Sequence, residues 1–300
     1  MEIKANDESC KEMLLIPNPR RFEILPLQYP LIWQHYKRLE SSFWTAEDID
    51  FSKDALDFAA LNADEKTFLS KILACLICAS GTFNESLIKH FSEKIQSTEA
   101  RCYFGFQIFL ENVHYEIYSL LFNVFYPTRG DEVTKLFKEV EQMPFIQMRQ
   151  QWVDKWIANE KYSYAQRLVA LAPFENVFFA GCFAAILSLK KQNIMPGFVA
   201  AVEKIFLDQR RHADFACHLY SYFANRPNQT IVEQMVAEAA DIEVQLLTES
   251  VPVTLIKLNP ETMRQFVEYV ADCLLEKLEI PKVIFKESSH TVAYYSYHTR

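Results

Sequence analysis

The sequence predicts an all-α protein, a bundle of long helices with shorter helices around it. Three observations carry this. Apolar residues recur at helical spacing along most of the chain. Glycine is only 5 of 300 residues, which leaves little material for the tight turns of a β architecture. Helix start and stop signals lie close together, so loops are short and successive helices are antiparallel neighbours.

Residues 1–28 are irregular, because Pro17, Pro19 and Pro26 interrupt any regular element. A helix over 29–40 carries aromatics at helical spacing. Thr45 is placed to cap a short helix, with Asp48 three residues on to complete a capping box. Asn62 opens a long helix over 63–93 in the same way. The central helix covers 97–125 and stops before Pro127. Two shorter amphipathic helices follow, over 131–141 and 145–158. A helix over 162–191 is apolar on all sides. Pro196 starts another that runs to about 224, before Pro227, and helices over 231–249 and 261–278 complete the set. No repeat, linker or composition shift divides the chain. The expected organisation is an irregular segment 1–28, one helical domain 29–285 and a divergent tail 286–300.

Half the residues (50%) are apolar, enough for a sizeable core, and a net charge of −8 offers no footprint for nucleic acid. The N-terminus carries no secretory or transit signal, and seven scattered cysteines read as reduced thiols of a cytosolic protein. Cys75 and Cys78 spell CxxC inside an apolar helical run, where packing is the expected role. The stretch 168–189 is long and apolar enough to imitate a membrane span. Glu175 inside it is costly in lipid, so the expected setting is a buried helix turning one carboxylate inward, with no membrane partner.

The chemistry centres on 97–125. Glu111 and His114 are three residues apart and Tyr118 follows by four, so all three share one helical face. A carboxylate, an imidazole and a phenol on an apolar face need partners. Glu-x-x-His on an inward face is a half-site of a di-metal four-helix bundle. Alone it reads better as a solvated surface pair; the aromatic neighbours and a second half-site downstream favour the metal reading. A second half-site requires another imidazole and two lone carboxylates. His212 supplies the imidazole and Glu175 one carboxylate. Gln209 stands where a Glu is needed, and the middle of 63–93 offers Ser80, with Asn84 and Glu85 a turn later.

These residues lie within longer markers: Ser42-Phe-Trp-Thr-Ala-Glu-Asp-Ile-Asp-Phe-Ser-Lys-Asp54, Thr98-Glu-Ala-Arg-Cys-Tyr-Phe-Gly-Phe-Gln-Ile108, Glu111-Asn-Val-His-Tyr-Glu-Ile-Tyr-Ser-Leu-Leu121 and Met195-Pro-Gly197. Through them the chain resembles, over about 15–285, the small radical-generating subunit of eukaryotic-type class I ribonucleotide reductase. The resemblance implies a ferritin-like bundle, a di-iron cofactor and a place in deoxyribonucleotide biosynthesis for DNA replication. It implies iron-ligand positions at Glu111, His114, Glu175 and His212, with Ser80 where the family has Asp and Gln209 where it has Glu. Tyr118 falls on the radical position, with Phe179 and Phe183 in its shielding pocket. Trp44, Asp208 and His114 fall on the electron and proton relay to the large subunit.

Two divalent ions bring four positive charges, and this ligand set supplies only two carboxylates. Leaving charge uncompensated in a buried site costs several kcal/mol per ion. The expected content is therefore no metal or one weakly held ion. Arg210 and Arg211 stand where the family has small or apolar residues. Folded inward, either would pair with Glu111 or Glu175; the alternative is that both face solvent. Beyond about 285 the resemblance fades, and the family's docking tail is not matched. Tyr294, Tyr295 and Tyr297 offer a makeshift relay, and docking to a large subunit is in question. Three functions stand open: a metal-deficient paralogue that pairs with a metal-competent small subunit as a heterodimer, an active radical subunit with a metal-free or single-metal Tyr118 site, and a non-catalytic ferritin-like binding module. Homodimer and heterodimer are both open.

Overall fold

The computed structural model describes residues 12–128 and 130–284. The expectations for the tail, Tyr294, Tyr295 and Tyr297 among them, lie outside the described residues. Eleven α-helices occur among the described residues, and no strand: α1 (Pro30–Glu40), α2 (Asp54–Ala60), α3 (Ala63–Leu87), α4 (Thr98–Phe125), α5 (Asp131–Glu141), α6 (Pro144–Trp156), α7 (Tyr164–Asn176), α8 (Ala180–Leu187), α9 (Pro196–Tyr220), α10 (Gln229–Gln245) and α11 (Pro260–Lys277). The long helices α3, α4, α7 and α9 form the bundle that encloses the site. α7 packs along α9, α3 along α4, and α4 against α9. α1 covers α4, while α6, α10 and α11 close the far side of α7.

The start signals act as their chemistry dictates. The Asn62 side chain accepts from the Glu65 N–H at 3.0 Å, and the Glu65 carboxylate accepts from the Asn62 N–H at 3.1 Å. Thr45 and Asp48 form the same reciprocal box over a single turn of 3₁₀ helix. Ser163, Asn228 and Asn259 cap α7, α10 and α11. Two helical runs, Ala63–Ser92 and Tyr164–Gln192, are long and apolar enough to cross a membrane. In the second, 89% of the apolar window is buried among the other helices.

Two elements differ from expectation. The single helix over 162–191 is broken: α7 ends at Asn176, Phe179 takes a left-handed conformation at φ 65°, and α8 begins at Ala180. The break has a partner far along the chain. The buried Glu243 carboxylate of α10 accepts from the backbone N–H groups of Phe179, Gly181 and Cys182 at 2.9, 3.1 and 3.3 Å. It gathers the donors that a helix start leaves free. The second difference is α2, for which no element is named from the sequence. Its Asp54 accepts from the Gly197 and Phe198 N–H groups at 3.0 and 2.6 Å, and Asp57 from the Met195 N–H at 2.7 Å. α2 therefore caps α9. Gly197 is needed there, because a Cβ would meet the Asp50 carbonyl oxygen at 2.4 Å.

Candidate metal centre

Four helices aim polar side chains into the interior of the bundle. α4 supplies Glu111 and His114, α7 supplies Glu175, and α9 supplies Asp208, Gln209 and His212. α3 brings Ser80 to the same cavity. Glu111, His114, Glu175, Asp208 and His212 are all buried. His212 Nδ1 lies 3.2 Å from Glu111 Oε1 and 3.6 Å from Glu175 Oε2. His114 Nδ1 lies 3.5 Å from Glu111 Oε2. Glu111, Glu175 and His212 offer ligand atoms all within 4.8 Å of one another.

The remaining positions are spent on protein hydrogen bonds. Ser80 Oγ donates back to the Leu76 carbonyl of its own helix at 2.7 Å. The Gln209 amide donates to Glu111 Oε1 at 3.0 Å. Gln107, one turn before Glu111, donates to Glu175 Oε1 at 2.6 Å. Against this, His114 Nδ1, His212 Nδ1 and Glu175 Oε2 are buried without a hydrogen-bond partner. Such orphans around a convergent triad suit a cation. The donor set therefore fits one divalent ion held by Glu111, Glu175 and His212, with His114 adjacent. It does not fit two. Two carboxylates leave four positive charges half compensated, and the two substituted positions present a hydroxyl and an amide, both neutral and both already donating hydrogen bonds within the protein.

The electrostatics follow from burial and close pairing. Burial pushes the Glu111 carboxyl up, but His114 and His212 together outweigh it and hold it down at about 2. Burial disfavours a charged His212, yet Glu175 and Glu111 raise it to about 10, and His114 is raised to about 9 by Glu111 and Asp208. Burial lifts Glu175 to about 7 against the pull of His212. The close carboxylates therefore favour protonated imidazoles, and an ion held by His212 would displace that ring's proton.

Beside the triad runs a hydrogen-bonded chain of side chains. Trp44 Nε1 donates to Asp208 Oδ2 at 2.7 Å, and the same oxygen lies 3.2 Å from His114 Nε2. The Trp44 and His114 rings stack at 6.0 Å. Asp208 Oδ1 accepts from Arg211 at 3.0 Å. Of the two arginines in question, Arg211 is thus half-exposed and pairs with Asp208, while Arg210 lies 6.0 Å from the Phe206 ring; neither forms an ion pair with Glu111 or Glu175. Tyr118 is buried, which drives its phenol pKa well above the usual value. It lines a cavity of about 30 Å³ with Ser80, Glu111, Gln209, Phe179 and Phe183.

Three buried polar side chains near the site carry no role in the sequence-based expectations: Gln107, Arg149 and Glu243. Only the first left a faint signal. Gln107 is a polar residue in an aromatic run. Arg149 shares the buried face of α6 with Phe145, Trp152, Val153 and Trp156. Glu243 falls in the buried set of α10.

A family model described as "Ribonucleotide reductase, small chain" matches residues 21–291. The ribonucleoside-diphosphate reductase small chain of Spisula solidissima is 46% identical over 92% of this chain and 72% of its own length. Subunit M2 of Homo sapiens is 42% identical over 92% of this chain and 71% of its own. The ribonucleotide reductase Rnr4 homodimer from Saccharomyces cerevisiae superposes with a TM-score of 0.86 at 34% identity, covering 96% of this chain and 92% of that one. The R2 subunit from Clostridium botulinum, at 18% identity and a TM-score of 0.79, shares the fold.

Proposed function

The chain belongs to the ribonucleotide reductase small-chain family, with its ferritin-like helical bundle, and from that premise we propose a metal-poor member of it, one that pairs with a metal-competent small subunit and supports that subunit's folding or metal loading in deoxyribonucleotide biosynthesis. The observation that carries the reading is the state of the two substituted positions. Ser80 is turned onto its own helix and Gln209 is spent on Glu111. An ion held by Glu111, Glu175 and His212 would supply Lewis-acid or redox chemistry beside Tyr118. The chain's own residues still do three things: they hold Asp208 between Trp44 and His114, enclose Tyr118 among phenylalanines, and set imidazoles beside the buried carboxylates.

Dimerisation is supported by an apolar surface. Phe43 (54% exposed), Phe109 (39%), Tyr115 (47%) and Leu120 (38%) lie open on or beside α4. The described cysteines are free, which suits the cytosol. The test is to mix the purified protein with a metal-competent small subunit, weigh the complexes by native mass spectrometry and quantify tyrosyl radical by EPR. A mixed dimer with a raised radical yield per competent chain is expected. No association and an unchanged yield would contradict the pairing.

A second reading has its own support. The hydrogen-bonded Trp44–Asp208–His114 chain and the enclosure of Tyr118 support an active radical subunit with a metal-free or single-metal site. A radical EPR signal from the protein alone distinguishes it. The same hydrogen-bonded arrangement weighs against a bare binding module, which has no use for it.

A further inference from the structure

α6 lies outside the four helices that carry the candidate ligands, yet it sends one cation among them. Arg149 is 7% exposed. Its guanidinium carbon lies 4.4 Å from the centroid of the Phe174 ring, 4.9 Å from that of Phe179 and 5.4 Å from that of Phe178. These rings and Arg149 wall the same 30 Å³ cavity as Ser80, Glu111, Tyr118 and Gln209. One turn along α6, Trp152 Nε1 donates to the Met235 carbonyl at 3.1 Å and fixes the helix. Arg149 also lines a surface groove of about 550 Å³ with Cys78, Glu141 and Gln147, so its side chain forms part of the partition between groove and cavity.

Its partners explain why it stays. Three ring faces attract a guanidinium, and a planar delocalised cation tolerates such a site better than an ammonium. Burial lowers its pKa to about 10, while the fields of Glu243, Cys75 and Glu175 oppose that fall, so it remains charged near neutrality. Nε has no hydrogen-bond partner. A buried guanidinium with an open donor, in the wall of the cavity that Ser80 also lines where the family has a carboxylate, places a fixed positive charge there.

We infer that Arg149 is the resident cation of the Tyr118 cavity and is itself a barrier to a second metal ion, so that restoring the two ligand side chains alone leaves a one-ion site. The inference rests on the reading of a metal-poor centre and adds a third cause to the two substituted positions. A fixed positive charge in a low-dielectric cavity repels a divalent ion more strongly than in water.

The experiment counts Mn(II) bound per chain, by metal analysis after desalting and by the EPR signal of free Mn(II) during titration. The unmodified protein is expected to bind at most one ion. Ser80→Asp with Gln209→Glu should bind one. Adding Arg149→Met, which keeps the volume among the rings and removes the charge, should bring binding towards two, while adding Arg149→Lys should leave it at one. Two ions in the double variant with Arg149 intact would overturn the inference. So would one ion in the folded triple variant carrying Met. Two ions in the unmodified protein would instead overturn the metal-poor reading itself. Arg149→Met alone provides an arm that does not depend on the restored ligands. It should tighten the single Mn(II) site by about tenfold, and an unchanged affinity would count against the proposal.

Discussion

Glu243 shows how one side chain sets the geometry of the site from a distance. It holds three N–H groups at the α7–α8 break, and this places Phe179 in the wall of the Tyr118 cavity. Burial raises its pKa from 4.5 to about 7 in spite of those bonds. Between these values the folded protein holds a proton that the unfolded chain releases. Stability should therefore fall as pH rises through that window and level off above it, a change of about 3 kcal/mol from this group. Glu243→Gln should remove that slope, at the cost of turning an amide N–H towards the Phe179 N–H. Urea unfolding of both proteins at pH 4.5 and pH 7.5 checks this; equal slopes would contradict it. At this scale the sequence was legible where function follows local spacing. Glu111, His114 and Tyr118 share a face because three and four residues make about one turn. Glu243, Arg149 and Gln107 were not legible, because their roles depend on partners brought close only by tertiary packing. The direction of Arg211 was open for the same reason: its partner Asp208 is local, but only the buried Trp44–His114 pair fixes that carboxylate in place.

Among the elements, the helices with strong caps and clear period stood where expected. The exceptions are the places where a contact distant in sequence overrides local propensity. Residues 162–191 read as one helix, since nothing local requires a left-handed Phe179. α2 is seven residues long, too short to show a helical period, though its aspartates cap α9. Close approach at the break gives a sharp test. A Cβ on Gly181 would meet Leu247 Cδ1 at 2.1 Å, the far end of a flexible side chain. Gly181→Ala should cost about 1–3 kcal/mol by overpacking. Leu247→Ala in the same chain should recover part of that, so the pair is less damaging than the sum. Strict additivity in urea unfolding would contradict the contact. Gly197→Ala has no such release, because its neighbour at 2.4 Å is a backbone oxygen, and it should destabilise more.

On the scale of the whole molecule, the bundle retains what a small-subunit scaffold needs and alters what a two-ion centre needs. Its open apolar face along α4 calls for a partner, and a 35.1 kDa chain should sediment as a dimer, alone or with a second small subunit. Phe109→Glu should shift it to monomer in analytical ultracentrifugation, with its circular dichroism unchanged. The interior sets two imidazoles and one guanidinium close to its buried carboxylates, where two divalent ions would leave two positive charges over. The most direct test is metal content. The protein would be reconstituted anaerobically with excess Fe(II), desalted and analysed by inductively coupled plasma mass spectrometry. The account predicts no more than one iron per chain; two per chain would contradict it.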